Sequence, residues 1–390
     1  MARGRMRLCQ SIRVSWGCFA NATCPSFSTY THRLILMCFQ TQTSLTAGSF
    51  RSLSGKFLTF REFEAYDYLL LADWSCSVFW RGSTDHTFVC GRHVVPIRQA
   101  VSGICSSEQT VYAVVPSGQL FIIDKKTGRL KMTNLGKIVS LGCSGSAVYC
   151  ITDEQHLFRL TKAECEEFSL SPFCSVPSMK IKSVACGSGF LLCLSIIGQL
   201  YSSGLGSRGQ LGLGDLDDRP QLTHVEALQM LFVIQVAAGA WHSACVTDSG
   251  DLYTWGWNEH GQLGHKSFAI RKKNAQSGDL EDCVSVIALP KPVDIPEDKL
   301  VTKVTCGARH TACITDDGEV FVFGWNGFGQ LGLPGTLEAT DIPSQVHFTQ
   351  PTNDLTVRDI SCGQWSTSVI VEKKTSRLSA CVRVVADSMK

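Results

Sequence analysis

The chain has 390 residues, of which 44% are apolar and 18% charged, and a formal net charge of +2. That size allows two ordinary domains or one large closed repeat structure, and the near-neutral charge gives no bulk drive toward nucleic acid. Its longest apolar run, Leu34 to Phe39, is far short of the roughly 18–20 residues that cross a bilayer, so no membrane association is expected.

The first 61 residues carry eight Lys or Arg and no Asp or Glu. The chain has 36 basic and 34 acidic residues in all, so the remainder holds 28 bases against all 34 acids. The segment 1–60 reads as basic and acid-free, an irregular or disordered tail or a targeting leader. Residues 61–180 show weak, scattered strand patterns. Residues 181–375 are strongly periodic, and 376–390 form a C-terminal tail.

"GLGSRGQLG" at Gly204 matches the G-x-G-x-x-G spacing that cradles a pyrophosphate. Two further copies, "GWNEHGQLG" at Gly256 and "GWNGFGQLG" at Gly324, replace the second glycine with Asn. No helical pattern follows any of the three, and a phosphate cradle requires a helix N-terminus there. The loop therefore belongs to an internal repeat and no nucleotide is expected.

Upstream of each loop the segments from Val184, Val236 and Val304 align without gaps, and a partial copy starts at Ile360. Each reads as a β-hairpin: alternating β-branched and aromatic residues around Ser249-Gly250 or Asp317-Gly318. Nineteen cysteines would suggest disulfides, but the count is odd and no C-x-x-C occurs. Cys186, Cys306 and Cys362 share a repeat column with Ala238, and Cys193, Cys245 and Cys313 share one with Val369. Such columns need small apolar residues, so these are core thiols in a reducing compartment, cytosol or nucleus.

These residues resemble the regulator of chromosome condensation repeat, best seen in Ala237–Gly264 and Cys306–Gly332. The resemblance implies an all-β, seven-bladed β-propeller with degenerate N-terminal blades. Phases near 72, 107, 142, 187, 239, 307 and 363 supply the seven, the early ones so short that trimmed blades are expected. Gly256, Trp257, Asn258, Gly261, Gln262, Leu263 and Gly264, with Gly324, Trp325, Asn326, Gly329, Gln330, Leu331 and Gly332, form its structural motif. His242 and His310 share a column with Phe190 and Ser366, which suits a structural hydrogen bond better than a metal.

Two places could serve a partner. One is the column Gly189, Trp241, Arg309 and Trp365, rich in interface-prone residue types. The other is an insertion at 265–290 with the basic cluster Arg271, Lys272 and Lys273, readable as a solvated loop or a partner-binding one. Asp215, Asp217 and Asp218 lack a further acceptor and read as a solvated loop. No catalytic motif is evident, so a non-enzymatic role without cofactor, metal or small-molecule substrate is expected. Likeness to small members of the family implies a chromatin-associated scaffold in the nucleus and on chromosomes, with a cytoplasmic pool allowed. It implies pairing with a Jumonji-type oxygenase or histone demethylase and effects on histone methylation and chromosome segregation. The alternative is guanine nucleotide exchange on a small GTPase, as in the founding member. Direct nucleic-acid binding is not expected.

Overall fold

The computed structural model describes residues 101–373 apart from residue 108 and segments 163–166, 174–178, 275–281, 335–336 and 348–354. It also gives the backbone of seven short strands between residues 12 and 96. The readings of 1–60 and 376–390 thus fall mostly outside the described residues.

The strands assemble into six four-stranded antiparallel sheets and a seventh of three strands, beside a small hairpin of Ser49–Arg51 with Phe57–Thr59. In each of the six, chain order is sheet order. The sheets start at residues 67, 103, 138, 181, 233 and 301, and the seventh pairs Leu355–Gly363 with Ser366–Lys373. First strands of consecutive sheets lie against each other, and Leu355–Gly363 returns against Asp67–Asp73. Ile12–Gly17 adds antiparallel to Ser366–Lys373, with Ile12 opposite Val371 and Gly17 opposite Ser366. These make an all-β arrangement of repeated sheets, as the sequence resemblance implies. The early sheets are not trimmed in strand number: Gly103–Ser106, Thr110–Val114, Leu120–Asp124 and Leu130–Thr133 make a complete one. The economy of this sheet lies in the last connection, where a tight turn closed by Gly128 N–H on the Asp124 carbonyl replaces a long loop.

Burial explains the composition of the second strands. Phe190–Ser195, His242–Thr247 and His310–Thr315 are buried at every residue, because each sheet is covered on both faces by its neighbours. Alternation is therefore lost and small residues win: Cys193, Ala244, Cys245, Ala312 and Cys313 are fully inaccessible. Fourth strands such as Val286–Pro292 are half open to solvent. Between sheets five and six, Val246, Leu252, Val304, Phe321 and Phe323 form one apolar layer. Each such side chain contributes roughly 1.5–3 kcal/mol by burial.

The glycine loops are shaped from within and held from outside. Gln210, Gln262 and Gln330 are buried, and each Oε1 accepts the N–H two residues earlier, of Arg208, His260 and Phe328, at 2.8–2.9 Å. Asn258 Oδ1 accepts the Leu263 N–H while its Nδ2 donates to the carbonyls of His265 and Val284; Asn326 repeats this with Leu331 and Leu337. The next sheet then grips the loop: Ser243 Oγ donates to the Gln210 carbonyl at 2.8 Å and Thr311 Oγ1 to that of Gln262 at 2.7 Å. Gly256 sits at φ 107°, where an added Cβ would meet the Trp241 carbonyl at 2.6 Å. No helix follows Gly212; strand Arg219–His224 does. A helix does follow Gly264, contrary to expectation, but it is the seven-residue Phe268–Asn274 of the insertion.

Phe190, His242 and His310 share one packing role. Each ring lies over the glycine three residues earlier, 2.0–2.1 Å from where a Cβ on Gly187, Gly239 or Gly307 would stand. The histidines add a bond to the next sheet, from His242 Nε2 to Thr311 Oγ1 at 2.9 Å and from His310 Nε2 to Thr367 Oγ1 at 3.0 Å. Thr311 gives its proton to the Gln262 carbonyl, so His242 must donate from Nε2.

The insertion leaves sheet five and docks on sheet six. Asp341 is buried and accepts from the Ser267 N–H at 2.9 Å and from Nε and Nη2 of Arg271, each at 2.8 Å. Residues 265–274 thus form a docked clip rather than the solvated loop that was one reading of the sequence.

Two outcomes follow from these contacts. Burial, and for His242 the neighbouring His310, push both histidines down to about 3, well below an ordinary imidazole. The unfolded chain binds these protons below pH ~6.5 and the folded chain does not, so stability is lost as pH falls. At pH 5 each histidine costs about 2 kcal/mol. Replacing both by Phe, as at position 190, flattens the decline of the urea midpoint between pH 7 and 4.5; an unchanged slope counts against this origin. Separately, Arg271→Ala strands a buried carboxylate at a cost of about 3 kcal/mol. Limited trypsinolysis within 265–290 then accelerates on the order of 100-fold, and Arg271→Lys falls between.

A guanidinium–aromatic face as the candidate functional site

Antiparallel order puts two connections of every sheet at the same end: the turn between first and second strands, and the loop between third and fourth. Three repeat columns therefore meet there. The first is the turn column Gly189, Trp241, Arg309 and Trp365. The second is the column opening the glycine loop, Leu205, Trp257 and Trp325. The third is the variable position before its second glycine, Arg208, His260 and Phe328.

Their side chains make a continuous strip across sheets four to seven. Trp241 meets Trp257 edge-on with centroids 5.5 Å apart, and Trp257 meets His260 at 5.6 Å. His260 lies 6.2 Å from Trp325, which contacts Phe328 and Trp365, both at 5.1 Å. Two cations are interleaved. The Arg208 guanidinium stands 4.6 Å from the centroid of Trp257, and that of Arg309 lies between Trp257 at 5.4 Å and Trp365 at 6.0 Å. Each contact contributes about 0.5–1 kcal/mol where solvent reaches it.

Arg309 Nη1 donates to His260 Nε2 at 3.0 Å, which fixes that imidazole as neutral with its proton on Nδ1. Burial first, and then the Arg309 charge, hold His260 below its ordinary value. Arg309 Nε is buried and, among the described residues, has no acceptor. Neither Arg208 nor Arg309 has a carboxylate partner among the described residues. The strip therefore offers two planar cations, braced by rings, to an anionic or aromatic group from outside.

The structure gathers Trp241, Arg309 and Trp365, the three turn-column candidates, into this strip. It draws the other three elsewhere. Arg271 pairs with Asp341, Lys273 with Glu338 at 2.5 Å, and Lys272 stands 5.9 Å over the Phe268 ring. Sequence reading missed Arg208, His260 and Phe328 and treated Trp257 and Trp325 as scaffold alone. The signal was present: Arg, His and Phe vary at one position inside an otherwise constant G-W-N-x-x-G-Q-L-G. Among the described residues no group of three or more His, Cys, Asp or Glu is placed to hold a metal. Gly206, the second glycine of the nucleotide-like spacing, is needed because an added Cβ would stand 1.9 Å from the Asp217 carbonyl.

Known proteins place this geometry. The regulator of chromosome condensation (RCC1) repeat matches residues 198–246, 249–314 and 317–370. RCC1 domain-containing protein 1 of Homo sapiens is 34% identical over 220 residues, covering 51% of this chain and 58% of that protein. The chain thus spans little more than half the length of that curated relative. Among solved structures, human WBSCR16 superposes with a TM-score of 0.64 at 16% identity, over 81% of this chain and 90% of that one. Prp20p of Saccharomyces cerevisiae gives 0.62 at 15% identity, over 77% and 81%. Its structures are described as bound to Kap60, and in terms of binding to Gsp1p and histones. The proteins named with Prp20p, Kap60, Gsp1p and histones, correct the expected pairing with a Jumonji-type oxygenase or histone demethylase and the effect on histone methylation that went with it. Repeat sequence, strand register and sheet order agree, and the chain belongs to the RCC1 repeat family.

Proposed function

We propose that this chain is a closed, seven-bladed docking propeller that binds a small GTPase and promotes exchange of its guanine nucleotide. The observation that carries the reading is the guanidinium–aromatic strip, built on the fold of Prp20p, which binds the Ran GTPase Gsp1. In this reading residues 61–180 and 181–375 are one ring, completed by pairing of Ile12–Gly17 with Ser366–Lys373. The role is one of binding and conformational change, with no covalent step assigned to the chain itself.

Charge helps choose the partner surface. Arg208 and Arg309 repel a basic histone tail and favour an acidic loop, so histone contact, if shared with Prp20p, belongs elsewhere on the molecule. The family description and the histone binding of Prp20p support a nuclear, chromosome-associated location.

The test is release of labelled GDP from a purified Ran-type GTPase by the full-length chain. Accelerated release is the expected result. Binding without acceleration reduces the reading to a scaffold, and absence of binding overturns it. Arg309→Ala and Trp365→Ala each weaken binding on the order of 10–100-fold, with hot-spot contributions of about 2 kcal/mol. Arg309→Lys restores little, because a lysine cannot lie flat between two indoles. Affinity falls as ionic strength rises, measured by titration calorimetry in graded salt.

A further inference from the structure

One pair of cysteines differs from the thiols of the repeat columns. Cys306 and Cys362 face Thr311 and Thr367 hydroxyls, and Cys362 also the Thr305 carbonyl, at 3.7–4.0 Å, as packed thiols do. Cys105 and Cys143 instead face each other. They lie 38 residues apart in sequence on the first strands of sheets two and three, with their sulfurs 2.7 Å from each other. Closure to a disulfide would bring the sulfurs together by roughly 0.7 Å. Cys105 is buried at 8% exposure, whereas Cys143 is half-buried and open to small reagents.

Two other thiols flank the pair. Cys186 of sheet four lies against Gly142, 2.6 Å from where a Cβ would stand, and Cys150 belongs to the second strand of sheet three. Burial, and then Cys143, raise both thiols, Cys150 to about 12, so neither supplies a thiolate at neutral pH.

We infer that Cys105 and Cys143 are a redox modification site, closing to a disulfide that staples sheet two to sheet three. The oxidant is a low-molecular-weight disulfide such as oxidised glutathione. The Cys143 thiolate attacks one of its sulfurs and expels a glutathione thiolate. The Cys105 thiolate then attacks the Cys143 sulfur of the mixed disulfide and expels the second. Two protein thiols are oxidised to one disulfide, and one glutathione disulfide is reduced to two thiols. The pair belongs to sheets two and three, whereas the guanidinium–aromatic strip is built on sheets four to seven, and the inference does not depend on any GTPase.

The test equilibrates the full-length chain in glutathione buffers of graded oxidised-to-reduced ratio, followed by non-reducing peptide mass spectrometry. A peptide linked through Cys105 and Cys143 is expected, with loss of two titratable thiols and a rise of roughly 5 °C in Tm that dithiothreitol reverses. Cys186→Ser keeps the link. Cys105→Ser leaves Cys143 as a mixed disulfide with glutathione and removes the rise in Tm. Absence of the linked peptide at every ratio, or Cys143 bonded to Cys186 in its place, overturns the inference, and both are read on the unmutated chain.

Discussion

The later sheets depend on one hydrogen bond made at two successive junctions: a hydroxyl of one sheet donates to the glutamine carbonyl of the preceding sheet's loop. Strand ladders stop at the edge of each sheet, so they cannot position one sheet against the next. Ser243 on Gln210 and Thr311 on Gln262 supply that fixed point, in sites where both partners are buried. A buried hydroxyl or carbonyl left unpaired costs about 1–3 kcal/mol, so the contact specifies angle as well as attraction. Trp255 reinforces the first of these with Nε1 on the same Gln210 carbonyl at 2.9 Å, and His242 ties the Thr311 hydroxyl of the second.

That arrangement explains why the loops can carry function. Gln262 and Asn258 shape their loop internally and the next sheet clamps it, so the residue at position 260 is held on a rigid base while its identity is free. At 208 the Gln210 bond and the Ser243 clamp recur without the asparagine, and at 328 the Gln330 and Asn326 bonds recur. Variation at those positions changes what the face presents without loosening the sheets beneath it, which is how a scaffold fold acquires a specific surface.

The sequence made the back half of the fold legible because its signals were local. Gly256, the Ser249-Gly250 turn and the Cys245 column each report a contact within one or two sheets. The early sheets were harder to read because their third and fourth strands follow each other closely in sequence, and without a glycine loop the strongest repeat marker is gone. The face was half legible. Trp241, Arg309 and Trp365 stood out as a variable column, but joining them to Arg208 and His260 required knowing that turn and loop lie at one end of the sheet. The basic triplet misled for a physical reason: Asp341, about 70 residues further on, neutralises Arg271, and a scan for local charge does not pair residues at that distance.

The pairing of Ile12–Gly17 with Ser366–Lys373 sets an order of events during synthesis. The strand made early must wait, unpartnered, while six sheets emerge from the ribosome behind it. Its hydrogen-bonding groups find their partners only when the far end of the chain has been translated. A ribosome that stalls before position 366 releases a molecule whose last sheet lacks both the strand being made and the one already waiting. Such truncated products expose pairing edges and are natural clients for chaperones and proteases.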